Sequence, residues 1–107
     1  MQWDLAVPEL NPERAVTTVE VTGPVTRAET ARWRDAFSDA LARGRGLRID
    51  LAGSGPWDLA GVQLLLATVA SGRRAGRSIV LAHIPNVLKV VAERAALLDR
   101  LAAITED

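Results

Sequence analysis

Leu47-Arg48-Ile49-Asp50-Leu51-Ala52-Gly53-Ser54-Gly55-Pro56-Trp57-Asp58-Leu59-Ala60-Gly61-Val62-Gln63-Leu64-Leu65 carries a strand pattern, a connection and the opening of a helix, and it is the decisive stretch of the chain. Leu47, Ile49 and Leu51 alternate with polar residues, the period of a strand. Ala52 to Pro56 is rich in turn formers, and Asp58 stands where a side-chain oxygen caps a helix. Val62, Leu65, Leu66 and Val69 then recur at helical spacing, so a helix is expected over 58–74, ended by Gly76. Ser78 to Ala82 is a nearly continuous apolar run, as in an interior strand. Strand, helix and strand in this order make a right-handed crossover, which requires strands 47–51 and 78–82 to be parallel.

Upstream, Trp3 to Val7 reads as a short edge strand stopped by Pro8. Ala15 to Thr22 reads as a second strand, with Thr17, Val19 and Val21 on one face and Gly23-Pro24 as its break. Thr26-Arg27-Ala28-Glu29 has the form of a capping box, and Trp33, Ala36, Phe37, Ala40 and Leu41 give the helix behind it a buried face as far as Gly44. Downstream, Pro85 is expected at the first position of a last helix with Leu88, Val91, Ala92 and Ala95 inward, and Leu97 to Leu101 either continues it or forms a short extra helix. The expected fold is α/β, a small mixed four-stranded sheet in the order β-β-α-β-α-β-α with helices packed on it, as one domain over 1–107.

Composition narrows the function. The chain has 107 residues, 49% of them hydrophobic, enough for one core. Its 13 basic residues balance 13 acidic ones, so no long-range field gathers nucleic acid or anionic lipid. Cysteine is absent, which removes disulfides and thiolate chemistry. The start Met1-Gln2-Trp3-Asp4 lacks the basic and apolar segments of a signal peptide, and no apolar run has membrane-spanning length, so a cytoplasmic protein without membrane insertion is expected.

The element order and the wording of the decisive stretch resemble the STAS family of sulfate transporters and anti-sigma factor antagonists. Leu47 to Gly53 followed by Asp58-Leu59-Ala60-Gly61 is similar to that family's apolar strand ending Asp-Leu-Ser-Gly and helix opening Asp-Ser-Ala-Gly. The resemblance implies a STAS-like fold, no catalysis, no cofactor, and a signalling role, by partner switching in bacterial members, exercised through protein contacts around Trp57, Asp58, Leu59, Ala60, Gly61 and Val62. It also implies a regulatory serine or threonine at the position held here by Leu59. Leucine cannot be phosphorylated, so the usual switch is missing and a constitutively binding-competent member is expected. Ser54 is the nearest hydroxyl that could replace it.

Each of these residues has a plainer reading beside the functional one. Asp58 is sufficiently explained as a helix cap. Leu59 is either an exposed apolar anchor or part of the first turn's core, and Trp57 is either a staple against residues one turn later or an interface hot spot. Gly53-Ser54-Gly55-Pro56 lacks the Gly-Lys-Ser/Thr of a phosphate-binding loop. His83, the sole histidine, has no cysteine or carboxylate pair beside it in sequence to make a metal site or triad, and Asp50 reads as a strand-end residue. Arg73, Arg74 and Arg77 read as favourable charge at a helix C-terminus.

The partner implied is an anti-sigma kinase-like protein. The alternative is the ATPase of a lipid-trafficking ABC transporter, with the chain as its STAS subunit, or a chemotaxis and signalling context. A second copy of the chain, in a weak homodimer, is a further partner. An enzyme would rest on Asp50, Asp58 and the glycine-rich turn, and would need a pocket gathering both carboxylates.

Overall fold

A chain whose apolar residues alternate in the strands and recur every three to four positions in the helices must bury one face of each, and the computed structural model shows how. It describes residues 16–44 and 46–104. The elements are β1 (Val16–Val25), a 3-10 turn (Arg27–Glu29), α1 (Thr30–Arg43), β2 (Gly46–Trp57), α2 (Leu59–Arg74), β3 (Ser78–Ala82), α3 (Asn86–Arg94) and α4 (Leu98–Ala102). The described sheet has the order β1-β2-β3 with both pairings parallel.

Asp50 lies opposite Glu20 on one side and Ala82 on the other, so β2 is the central strand of the three. Its odd-numbered residues Leu47, Ile49 and Leu51 are buried with Val21, Ile79 and Leu81, and the helices supply Phe37, Val62, Leu65, Leu88 and Leu101 to the same core. Burial of side chains of this kind stabilises by about 1.5–3 kcal/mol each before the entropy of ordering is subtracted. The parallel pairing of strands 47–51 and 78–82 is as expected. The expected edge strand at 3–7 lies outside the described residues, and with it the fourth strand and the mixed character of the sheet.

Two expected chain breaks are corrected. Gly23-Pro24 does not end β1, and Ala52 to Pro56 is not a turn, because β1 and β2 stay paired through Thr22↔Gly53, Gly23↔Ser54 and Val25↔Trp57. The ladder absorbs the irregular residues by register shifts between Glu20 and Thr22 and between Gly23 and Val25. Gly23 at φ 78° and Gly55 at φ 137° take up backbone conformations that side chains disfavour.

Helix ends follow local chemistry. The Glu29 carboxylate accepts the Thr26 N–H at 2.8 Å and the Thr26 hydroxyl at 2.6 Å, so the capping-box residues organise the 3-10 turn that leads into α1. Pro85 is the N-cap of α3 and not its first helical residue, with extended backbone at φ −74° and ψ 154°. Gly76, at φ 77°, closes α2 through the bonds Gly76 N–H to Arg73 C=O and Arg77 N–H to Gly72 C=O. Arg77 serves a different helix from the expected one. Its guanidinium donates to the Leu41 and Gly44 carbonyls at the C-terminus of α1. Leu97 to Leu101 contributes a separate short helix, after which the Ile104 carbonyl accepts the Leu81 N–H at 2.9 Å beside β3.

Candidate functional surface

Parallel strands deliver the next helix N-terminus to their carboxyl ends, and there the decisive stretch places Asp58. Its backbone is extended, with φ −131° and ψ −177°, and its two carboxylate oxygens do different work. Oδ1 accepts the Gly61 N–H at 3.1 Å, capping α2, and Oδ2 accepts the Arg27 N–H at 3.0 Å, tying the 3-10 turn to the same point. The plainer reading of Asp58 therefore suffices for its presence.

Trp57, Gly61 and Val62 lie beneath the surface. Trp57 is 5% exposed, and its ring covers Gly61 in the first turn of α2. A side chain at Gly61 would collide with the Val25 carbonyl oxygen and stand 2.8 Å from the Trp57 ring. The glycine is there for close packing of α2 against the end of β1. These three residues support the surface from below and present no large side chain to a partner.

Leu59 is the exception. At the first position of α2 it is 44% exposed, and Ala60 beside it is half-buried. At the start of α3, Val87 is 42% exposed, and its Cγ1 lies 3.5 Å from where a side chain at Gly55 would begin. Sequence reading did not single out Val87, because its turn of α3 carries no special residue. Two exposed aliphatic side chains thus stand at the starts of two helices, around the extension of β2. Ser54, in that extension, is fully engaged: its hydroxyl donates to the Leu51 carbonyl at 2.8 Å and accepts the Trp57 indole N–H at 2.9 Å.

A polar cluster at the end of the ladder was also not legible from sequence. His83 Nδ1 lies 3.0 Å from Asp50 Oδ1, which also accepts the Ala52 N–H at 3.1 Å, and an Arg48 nitrogen stands 3.8 Å from Asp50 Oδ2. The Ala52 N–H first, and the His83 side chain second, hold the Asp50 carboxyl below the usual aspartate range. The signal that could have found the pair is the ladder register. Once Asp50 is opposite Ala82, His83 is the next residue along.

Asp50 and Asp58 belong to separate hydrogen-bond networks, and neither lines the groove of about 240 Å³ between α1 and α2 that includes Phe37, Leu41, Leu64 and Ala67. Among the described residues no cluster of three or more His, Cys, Asp or Glu is placed to hold a metal, and no helix is long and apolar enough to cross a membrane.

Residues 9–103 match the family model described as "Mlab, STAS domain". No curated protein matches by sequence. Among solved structures, a sulfate transporter family protein from Wolinella succinogenes superposes with a TM-score of 0.68 at 15% identity, over 85% of this chain and 75% of that one. The anti-sigma factor antagonist SpoIIAA in its unphosphorylated form gives 0.66 at 15% identity, over 86% and 78%. The SulP transporter STAS domain from Vibrio cholerae gives 0.62 at 12% identity, over 95% and 84%. At these identities the likeness is one of fold.

Proposed function

The chain belongs to the STAS domain family, and from that premise we propose that it is a non-catalytic module that docks a protein partner through the apolar surface around Leu59. The single observation that carries this reading is the 44% exposure of a leucine at the first helical position after the Asp58 cap. Such a residue gains by being covered. Removing an exposed aliphatic side chain from water on association is favourable at roughly 25 cal/mol per Å².

Leu59 also defines the regulation. A phosphate at a helix N-terminus is stabilised by unpaired N–H groups and the helix dipole, and its charge of about −2 remodels the surface next to it. With leucine at that position the surface is fixed in its apolar form. The hydrogen bonds of the Ser54 hydroxyl with Leu51 and Trp57 weigh against that residue as a replacement for the switch.

Two partner classes fit a constitutive apolar surface. An anti-sigma kinase-like protein is supported by the similarity of fold to SpoIIAA, an anti-sigma factor antagonist. The ATPase of a lipid-trafficking ABC transporter is supported by the Mlab description of the matching family, and a permanent subunit of that kind needs no switch. Co-purification of the full chain from its source cell, with the captured proteins identified, separates them. A transporter ATPase supports the second, an anti-sigma kinase the first, and recovery of neither ATP-binding class counts against the proposal.

A further inference from the structure

We propose that Asp50 and His83 form a proton-responsive strut that sets where the start of α3, and Val87 with it, stands against the extension of β2. Asp50↔Ala82 is the last rung of the β2–β3 ladder. Beyond it the two chains part: β2 runs on beside β1 to Trp57, while the chain after β3 turns into α3. His83 is the first residue past that rung, and its side chain reaches back to Asp50 at 3.0 Å.

Three further observations make the contact more than a surface ion pair. His83 has φ 56°, a left-handed conformation uncommon for a residue with a side chain, which persists where its surroundings hold it. Asp50 Oδ1 binds the Ala52 N–H as well, so one oxygen fixes both the first residue of the β2 extension and the turn before α3. Four residues on from His83, Val87 comes near the extension again, its Cγ1 3.5 Å from where a side chain at Gly55 would begin. The hydrogen bond at Asp50 and the approach of Val87 to Gly55 bracket the turn His83-Ile84-Pro85.

An ionised carboxylate has no hydrogen to donate, so the Nδ1 of His83 must carry one. A neutral imidazole gives an ordinary hydrogen bond, and an imidazolium gives a charge-assisted one, roughly twice as strong. The strut therefore tightens as His83 gains its proton and slackens as it loses it. The charged groups facing the pair are Arg48 from β2 and Glu20, opposite Asp50 in β1. Lys89, Glu93 and Arg94 of α3 make no ion pair with it among the described residues. The strut itself stands whatever docks at the surface. Its consequence, that docking near Leu59 and Val87 responds to pH, rests on the function proposed above.

The test is a pH titration of the full chain by NMR, following the His83 ring, the Ala52 amide and the Val87 methyl groups. All three are expected to move with one midpoint. In His83→Asn, which tolerates the left-handed backbone but does not titrate, the Ala52 and Val87 signals are expected to stay flat. In Asp50→Asn the ring still titrates, while the excursion at Val87 falls about twofold or more. Flat Ala52 and Val87 signals in the wild-type protein while the ring titrates, a titrating Val87 in His83→Asn, or an undiminished excursion in Asp50→Asn would each overturn the strut. None of these readouts needs a partner, so a failure of the docking proposal leaves them intact.

Discussion

The indole N–H of Trp57 donates to the hydroxyl of Ser54 at 2.9 Å, and that hydroxyl in turn donates to the Leu51 carbonyl. The bond secures a core tryptophan to the glycine-rich extension of β2. Ser54→Ala leaves the buried indole nitrogen without this acceptor, a loss of about 1–3 kcal/mol that urea unfolding followed by tryptophan fluorescence will register. The same bonds hold Ser54 away from a kinase, so intact-mass analysis of the native protein is expected to show no phosphate on this residue.

Gly61 and Gly72 are both buried helical glycines, yet they differ in what an added methyl meets. At Gly61 the obstacles are the Val25 backbone oxygen and a packed indole, while at Gly72 they are Cδ1 and Cγ1 of the Ile79 side chain. A backbone cannot step aside as an isoleucine tip can. Gly61→Ala should destabilise at or above the upper end of the overpacking range, about 3 kcal/mol, and Gly72→Ala by clearly less, measured by chemical denaturation. Equal costs would contradict this packing account.

Ala96 closes α3 at φ 59°, with the bonds Leu97 N–H to Ala92 C=O and Ala96 N–H to Glu93 C=O. This is the site at which helices favour glycine, and an alanine there carries a left-handed penalty of about 1 kcal/mol or more. Ala96→Gly is expected to raise the melting temperature by a few degrees. Unchanged or lowered stability would count against the backbone assigned to this turn.

The Glu29 carboxyl is held below the usual glutamate range, first by the Thr26 hydroxyl and then by the Thr26 N–H. A carboxylate whose titration is depressed by folding contributes stability above its unfolded value, about pH 4.3, and loses it as pH falls through its folded value. Stability of the wild-type protein should therefore drop more steeply below about pH 4.3 than that of Glu29→Gln, with the two curves parallel near neutrality. Denaturation midpoints measured across that window check the sign.

What was legible in the sequence is what local chemistry controls. The extents of α2 and β3, the Asp58 cap and the parallel crossover follow from periodicity and from a single capping residue, none of which depends on distant parts of the chain. The extension of β2 through Gly53-Ser54-Gly55-Pro56 was hidden, because the same residues make turns when unpaired and only the ladder with β1 keeps them extended. The Asp50–His83 contact spans 33 positions and exists only through the register of two strands. Trp57 had two readings from sequence, since a residue before a helix cap faces inward or outward according to whether its neighbour one turn on is small, and Gly61 leaves room for it to face inward. The exposure of Leu59 was open for the same reason, and the packing of Trp57, Gly61 and Val62 beneath it leaves leucine as the outward residue.

Docking through this surface turns on Leu59. The most direct measurement is capture of the partner from the source cell by the wild-type chain and by Leu59→Asp at matched levels, with thermal melts confirming that both are folded. A carboxylate in place of the apolar side chain is expected to weaken capture by about tenfold or more, equivalent to about 1.4 kcal/mol, at little cost to a residue already half in water. Retention of the same partner at the wild-type level by folded Leu59→Asp would place the docking surface elsewhere on the molecule.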